Sequence, residues 1–283
     1  MARTARESAK AKAFLDTTVP GDRILGDDER KALTSKKLKG YASLACSKYV
    51  QLEFGLSIYG PMADLLVRAQ GGASMTEVMS LAVRYASGPP QYKWRRVGSV
   101  MLKTITFFIR KLESDWPTAK APAEQLRGFL RKYVRRVWKS AFKGIDTVLD
   151  PSGCLGDLPE PRWDAKTRTM VNVVSDAYLK AKADQLAAFI RRRNEFQRIF
   201  DALKKVPCSK RDPETKRRIK ALRGILVNAA QATPSDIRNV GDAFVAVECP
   251  DDHVLLSSHA KHFDRITQAI GKVSEPSFGP QAT

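Results

Sequence analysis

Cysteines, histidines and acidic residues are all scarce in this 283-residue chain, and each shortage closes off a class of protein. The four cysteines, Cys46, Cys154, Cys208 and Cys249, stand far apart with no CxxC pair. Neither a disulfide framework nor a cysteine zinc site is therefore expected, and the thiols read as reduced, in a cytoplasmic protein. The three histidines form no HExxH pair, and the chain also lacks a P-loop, a GxSxG elbow and a GxGxxG turn after a strand. ATP-driven chemistry, serine hydrolysis and dinucleotide binding lose their usual signatures. No apolar run approaches the roughly 20 residues that span a bilayer, and the longest candidate, residues 97–109, is broken by Lys103, so no membrane span is expected. The basic start, residues 1–12, has no apolar segment after it and reads as a frayed arm, not a secretory signal.

What the chain has in excess is positive charge. Its 49 Lys and Arg against 30 Asp and Glu leave a formal net charge of +19, which demands a polyanionic partner. Nucleic acid, an anionic membrane and an acidic protein all meet that demand. Clustering favours nucleic acid: a long helix predicted over residues 125–149 carries Arg127, Arg131, Lys132, Arg135, Arg136, Lys139 and Lys143 around an apolar stripe. A second, predicted over 168–206, carries Arg191, Arg192 and Arg193, and Lys216-Arg217-Arg218 opens a third basic segment. Such a run can also be a solvated surface, and the interleaved Trp94, Tyr133, Trp138 and Phe142 can be core as easily as platforms for stacked bases.

The chain divides into three stretches. Residues 1–60 and 231–283 hold the strand-like segments, and 61–230 reads as almost wholly helical and basic, with breaks at Gly71-Gly72, Gly88-Pro89-Pro90, 117–122, 150–161 and 207–213. Ala13-Phe14-Leu15-Asp16 reads as a short strand with Asp16 at its carboxyl end; 38–58 shows helical periodicity with Glu53 beside the apolar face. Near the other end, Asp242 opens a short helix and His253-Val254-Leu255-Leu256-Ser257 is a compact strand, followed by a helix over 261–270. Strands at both ends with helices between them predict an α/β fold whose small parallel sheet joins distant segments.

In such a sheet the ligand site lies beyond the carboxyl ends of the strands. Asp16, Glu53 and Asp242 are the carboxylates able to converge there, and three together would need a hard cation such as Mg²⁺ or Mn²⁺. Each has a plainer reading, Asp16 as a turn carboxylate, Glu53 as a solvated edge residue and Asp242 as a helix cap. His259 and His262, one turn apart, lack the carboxylate pattern of a zinc site.

Phe14-Leu15-Asp16-Thr17-Thr18-Val19 resembles the opening strand of PIN-domain nucleases, where Asp-Thr-Asn follows apolar residues. Tyr49-Val50-Gln51-Leu52-Glu53 resembles that family's second acidic position. Gly241-Asp242-Ala243 with Leu255-Leu256-Ser257-Ser258-His259 and Phe263 is similar to its C-terminal half. The likeness covers about the first 60 and last 50 residues. Thr18 stands where asparagine is common and His259 where a fourth acid or asparagine is often found, and Glu53 to Asp242 is longer than in compact members. Asp236, Asp251, Asp252 and Asp264 are the alternatives for a fourth ligand.

The resemblance implies a PIN-like small parallel sheet interrupted by a large, mostly helical basic insertion, and a phosphodiester hydrolase acting on RNA first and single-stranded DNA second. Asp16, Glu53 and Asp242 would hold Mg²⁺ or Mn²⁺, with Thr17, Ser257 and His259 orienting water or ligands around them. It also implies a toxin or defence ribonuclease restrained by an inhibitory protein partner. The competing readings are a non-catalytic nucleic-acid scaffold on a degenerate PIN fold, and basic amphipathic helices over 97–143 lying on a membrane surface.

Overall fold

The centre of the fold is a four-residue strand, Lys12–Leu15, whose last three side chains are wholly buried. In a computed structural model describing residues 11–87, 93–115 and 122–278, this strand, β1, leads into α1 (Thr18–Leu25) and α2 (Asp28–Leu38). Next come β2 (Ser43–Ser47) and α3 (Lys48–Phe54), and a π-helical turn, Gly55–Tyr59, joins α3 to α4 (Gly60–Gln70). Helices α5 (Met75–Ala86), α6 (Lys93–Asp115) and α7 (Pro122–Ala141) follow, then three short strands, β3 (Thr147–Leu149), β4 (Arg162–Asp164) and β5 (Thr169–Val171). The chain continues through α8 (Asp176–Arg192), α9 (Asn194–Lys204), α10 (Pro213–Val227), α11 (Pro234–Asn239) and α12 (Gly241–Glu248). It closes with β6 (His253–Ser257), α13 (Ala260–Ile270) and β7 (Ser274–Pro276).

Two compact units share these elements. The first comprises residues 1–50, 144–156 and 181–283, and the second 51–143 and 157–180. The first holds a five-stranded, all-parallel sheet in the order β3-β2-β1-β6-β7. From β1 the chain builds outward through β2 and β3 on one side, and later through β6 and β7 on the other. The order therefore reverses between β1 and β6, the kind of switch point where open parallel sheets leave a crevice at their carboxyl ends. Phe14 pairs in register with Ala45 and Leu255, so Asp16 emerges beside the end of β6. Helix α12 is buried almost throughout, and Phe244 stacks on Tyr49 at 4.4 Å while meeting Phe189 and Phe196. Lys272 donates to the carbonyls of Ala246, Val247 and Cys249, satisfying the open end of that helix with a cation where the helix dipole favours one.

The second unit is helical apart from the β4–β5 hairpin. Phe54, Tyr59, Trp138 and Phe142 interlock in edge-on contacts, and Phe107, Phe108, Phe129 and Tyr133 form a second aromatic group. Helices α5 and α6 approach so closely that a Cβ on Gly98 would lie 2.3 Å from the backbone nitrogen of Ala86, which only glycine tolerates.

The α/β class and the parallel sheet assembled from distant segments agree with the sequence reading, and β1, α12, β6 and α13 form where expected. Three expectations are corrected. The helix predicted over 38–58 is β2 followed by α3, because the small residues of Ser43–Ser47 pair with β1. The helix predicted over 125–149 stops at Ala141, and Gly144, with φ of 72°, turns the chain into β3. The helix predicted over 168–206 begins at Asp176 and is interrupted at Arg193, since 169–171 is a strand. The middle of the chain thus contains strands where none was expected. The N-terminal residues 1–10, the break at Gly88-Pro89-Pro90, most of that at 117–122 and the side chain of Trp94 lie outside the described residues. Among the described residues no helix is long and apolar enough to cross a membrane, and all four cysteines are free.

Candidate acidic centre and basic groove

Asp16 leaves the end of β1 with its backbone amide still bonded to the Leu256 carbonyl, at 2.9 Å, so the neighbouring strand fixes where its side chain starts. The carboxyl is 3% exposed. Its Oδ2 accepts from the Thr18 hydroxyl at 2.8 Å and the Ser257 hydroxyl at 2.9 Å, with the Thr18 amide at 3.3 Å. The two hydroxyls are themselves held: the Ser258 amide donates to Thr18 Oγ1 and the His259 amide to Ser257 Oγ. Burial, and then the charge of Asp242, push the Asp16 carboxyl above the usual carboxylate range, against the pull of these hydrogen bonds. Two of the three expected carboxylates are thus close enough to feel each other.

Asp242, in the first turn of α12, is half-buried and is held by a guanidinium of α10, an Nη of Arg218 donating to its Oδ2. Arg218 has a side chain only 7% exposed, and its Nε finds no partner. Two more charged pairs lie nearby. Asp22 of α1 faces Arg30 Nε at 2.9 Å without an aligned hydrogen bond, and its Oδ2 is buried without a partner. Glu214 lies 3.4 Å from His262, whose ring is 5.5 Å from that of His259. Desolvation, then His262 and Arg30, lower the pKa of His259, outweighing Asp22 and Asp242.

The expected site residues are therefore distributed unevenly. Asp16, Asp242, Ser257 and His259 come together in the first unit, whereas Glu53, half-buried on α3, belongs to the second. Thr17 is buried, and the hydroxyl on Asp16 is that of Thr18. Each alternative for a fourth ligand has another engagement: Asp236 caps α11, Asp252 pairs with Lys12 and His253, Asp251 lies 3.7 Å from Lys272, and Asp264 accepts from Ser274. Among the described residues no three His, Cys, Asp or Glu side chains form a group able to hold a metal ion. As a fit to a divalent cation, the centre offers the oxygens of Asp16 and Asp242, with Arg218 already on the second.

Sequence reading missed Arg218, Asp22 and Arg30. The phase of α10 carries the signal for Arg218: Thr215, Arg218, Leu222 and Ile225 share one buried face, while Lys216, Arg217 and Lys220 are exposed. Asp22 lies four residues past Thr18, on the same face of a helix that starts there.

The basic residues separate into two settings. Lys132, Arg135, Arg136, Lys139 and Ser140 of α7, with Lys143 just beyond its end, line an open groove of about 490 Å³, and Arg135 also stacks over Trp163 at 5.0 Å. Arg127 lies 3.8 Å from Glu124, and Arg131 is half-buried. In the first unit Arg191 and Arg192 line another cleft with Ser152, Cys154 and Gln185, whereas Arg193 forms a two-point pair with Glu195 and lies over Phe189. Tyr133, Trp138 and Phe142 pack against other aromatic side chains and serve as core.

Fold and site together define an α/β protein with a five-stranded parallel sheet and an acidic pair at its switch point. Comparison of the chain with protein-family models, curated proteins and solved structures gave no match.

Proposed function

We propose that the chain is a metal-dependent endonuclease of the PIN kind, acting on RNA first and single-stranded DNA second, in a toxin or defence role restrained by an inhibitory partner. The observation that carries this reading is the buried Asp16 at the end of β1, within electrostatic reach of Asp242 at the switch point of a parallel sheet. Two such carboxylates repel unless a cation or a proton lies between them. Asp16 and Asp242 would hold Mg²⁺ or Mn²⁺, and the ion would supply an activated water and charge neutralisation at the leaving oxygen. Thr18 and Ser257 orient the Asp16 carboxyl, and the open cationic groove of α7 binds backbone phosphates.

The contact between Arg218 and Asp242 favours a second reading, a nucleic-acid-binding protein in which an arginine has taken over the role of the metal. Labelled total RNA and single-stranded DNA, incubated with the protein and with Asp16→Asn in Mn²⁺ or Mg²⁺ and in EDTA, separate the two. Cleavage by the unmodified protein, lost at least a hundredfold in the variant and in EDTA, is the expected result. Salt-sensitive binding without cleavage in either protein overturns the nuclease reading and leaves the second.

A further inference from the structure

We propose that Arg218 is a built-in counter-ion that competes with divalent metal for Asp242, so that the acidic centre is closed by its own arginine until a cation displaces it. This inference rests on the reading of Asp16 and Asp242 as a cation-binding pair. Arginine is seldom buried without full pairing, because its five N–H donors lose water on burial. Here the side chain is 7% exposed, contacts one carboxylate oxygen and leaves Nε unsatisfied. Its neighbours in the same basic run, Lys216 and Arg217, stay exposed, so the burial is specific to Arg218.

The surrounding charges give that burial a purpose. Asp22 faces Arg30, Glu214 faces His262, and Asp16 is held by two hydroxyls, so these three carboxylates are engaged by groups other than Arg218. Asp242 has the guanidinium. A guanidinium and a divalent ion answer the same need, the neutralisation of a half-buried carboxylate beside another acid. They cannot occupy Oδ2 together, and only the metal would also draw in Asp16. The unpaired Nε shows that the arginine is incompletely satisfied where it lies, which lowers the cost of displacing it.

The test is a titration of the full chain with Mn²⁺ alone, following free Mn²⁺ by electron paramagnetic resonance. The proteins compared are the unmodified protein, Arg218→Gln, Arg217→Gln and the double variant Arg218→Gln/Asp242→Asn, with folding checked by circular dichroism. Arg218→Gln is expected to bind Mn²⁺ at least tenfold more tightly than the unmodified protein, and the double variant to lose that gain. Arg217→Gln removes the same formal charge from the surface and is expected to change affinity less than twofold. Equal affinity in Arg218→Gln and Arg217→Gln, or a gain that survives loss of Asp242, overturns the proposal. Should Arg218→Gln fail to fold, the Nε–H resonance of Arg218 in the unmodified protein, followed through a Mg²⁺ titration, decides. A saturable shift that is absent in Asp242→Asn supports the competition, and an unmoved resonance overturns it. Because the readout is binding, an Asp242-dependent gain in a protein that cuts nothing sustains the counter-ion while the nuclease reading falls. Metal-dependent cleavage with no such gain does the reverse.

Discussion

Helices α7 and α10 look alike as sequence, each a basic run around an apolar stripe, yet they put their charge to opposite uses. The cations of α7 at Lys132, Arg136 and Lys139 are exposed and line an open groove. Arg218 of α10 turns inward to Asp242. Helix phase makes the difference: a basic residue four positions before Leu222 falls on the buried face, whereas those of α7 fall opposite Leu130, Val134 and Val137. The number of charges in a run therefore says less about function than their angle around the helix.

The contrast breaks most visibly in nucleic-acid binding. Lys132→Gln, Arg136→Gln and Lys139→Gln together are expected to weaken single-stranded RNA binding by about 100-fold and to flatten the slope of log affinity against log salt by about 2, since three phosphate contacts are lost. Filter binding across a salt series measures both, and an unchanged slope would remove α7 from the interface. Next comes stability. Arg218→Ala is expected to cost about 2 kcal/mol, because it strips a half-buried carboxylate of its cation and opens a gap, whereas Arg136→Ala stays within about 0.5 kcal/mol. Urea unfolding of the two variants puts them side by side, and equal midpoints would deny that the two arginines differ.

The smallest effect concerns a third buried charge. Glu248, at the end of α12, is 2% exposed with neither carboxylate oxygen hydrogen-bonded, and burial pushes its pKa up to about 8 despite the nearby Ser47 hydroxyl. The folded protein thus keeps a proton that the unfolded chain releases near its ordinary value of 4.5. The contribution of this group to stability is complete below that value and is lost as pH rises towards 8. Glu248→Gln is expected to leave the melting temperature unchanged at about pH 5 and to raise it by roughly 5 °C at about pH 9. Melts at both ends of that range check it, and a variant that tracks the unmodified protein throughout would return Glu248 to an ordinary solvated acid.

Legibility followed the strength of local pattern. Strands β1 and β6 were readable because each is an apolar run ending in a polar residue at a turn, and that made Asp16 and Ser257 readable as neighbours before any geometry was known. Strand β2 was hidden because Ala45 and Cys46 are small and run directly into the periodic residues of α3. Strand β3 was hidden because Thr147-Val148-Leu149 extends the apolar stripe of α7 past Gly144, whose left-handed backbone ends the helix. Pairing with neighbouring strands, a tertiary effect, overrode propensity in both. Arg218 was hidden by company: among Lys216, Arg217 and Lys220 it reads as surface, and only the buried positions of α10 single it out.

The register of the sheet also bears on how the chain is made. Strand β1 pairs with β6 across about 240 residues, and Asp16 is oriented by the hydroxyl of Ser257. A ribosome adding about 5–20 residues per second finishes β1 many seconds before β6 exists. Throughout that interval the nascent chain carries Asp16 without its orienting serine, without Asp242 and without Arg218, since all three lie downstream. Whatever chemistry the acidic centre performs is withheld from the half-made protein.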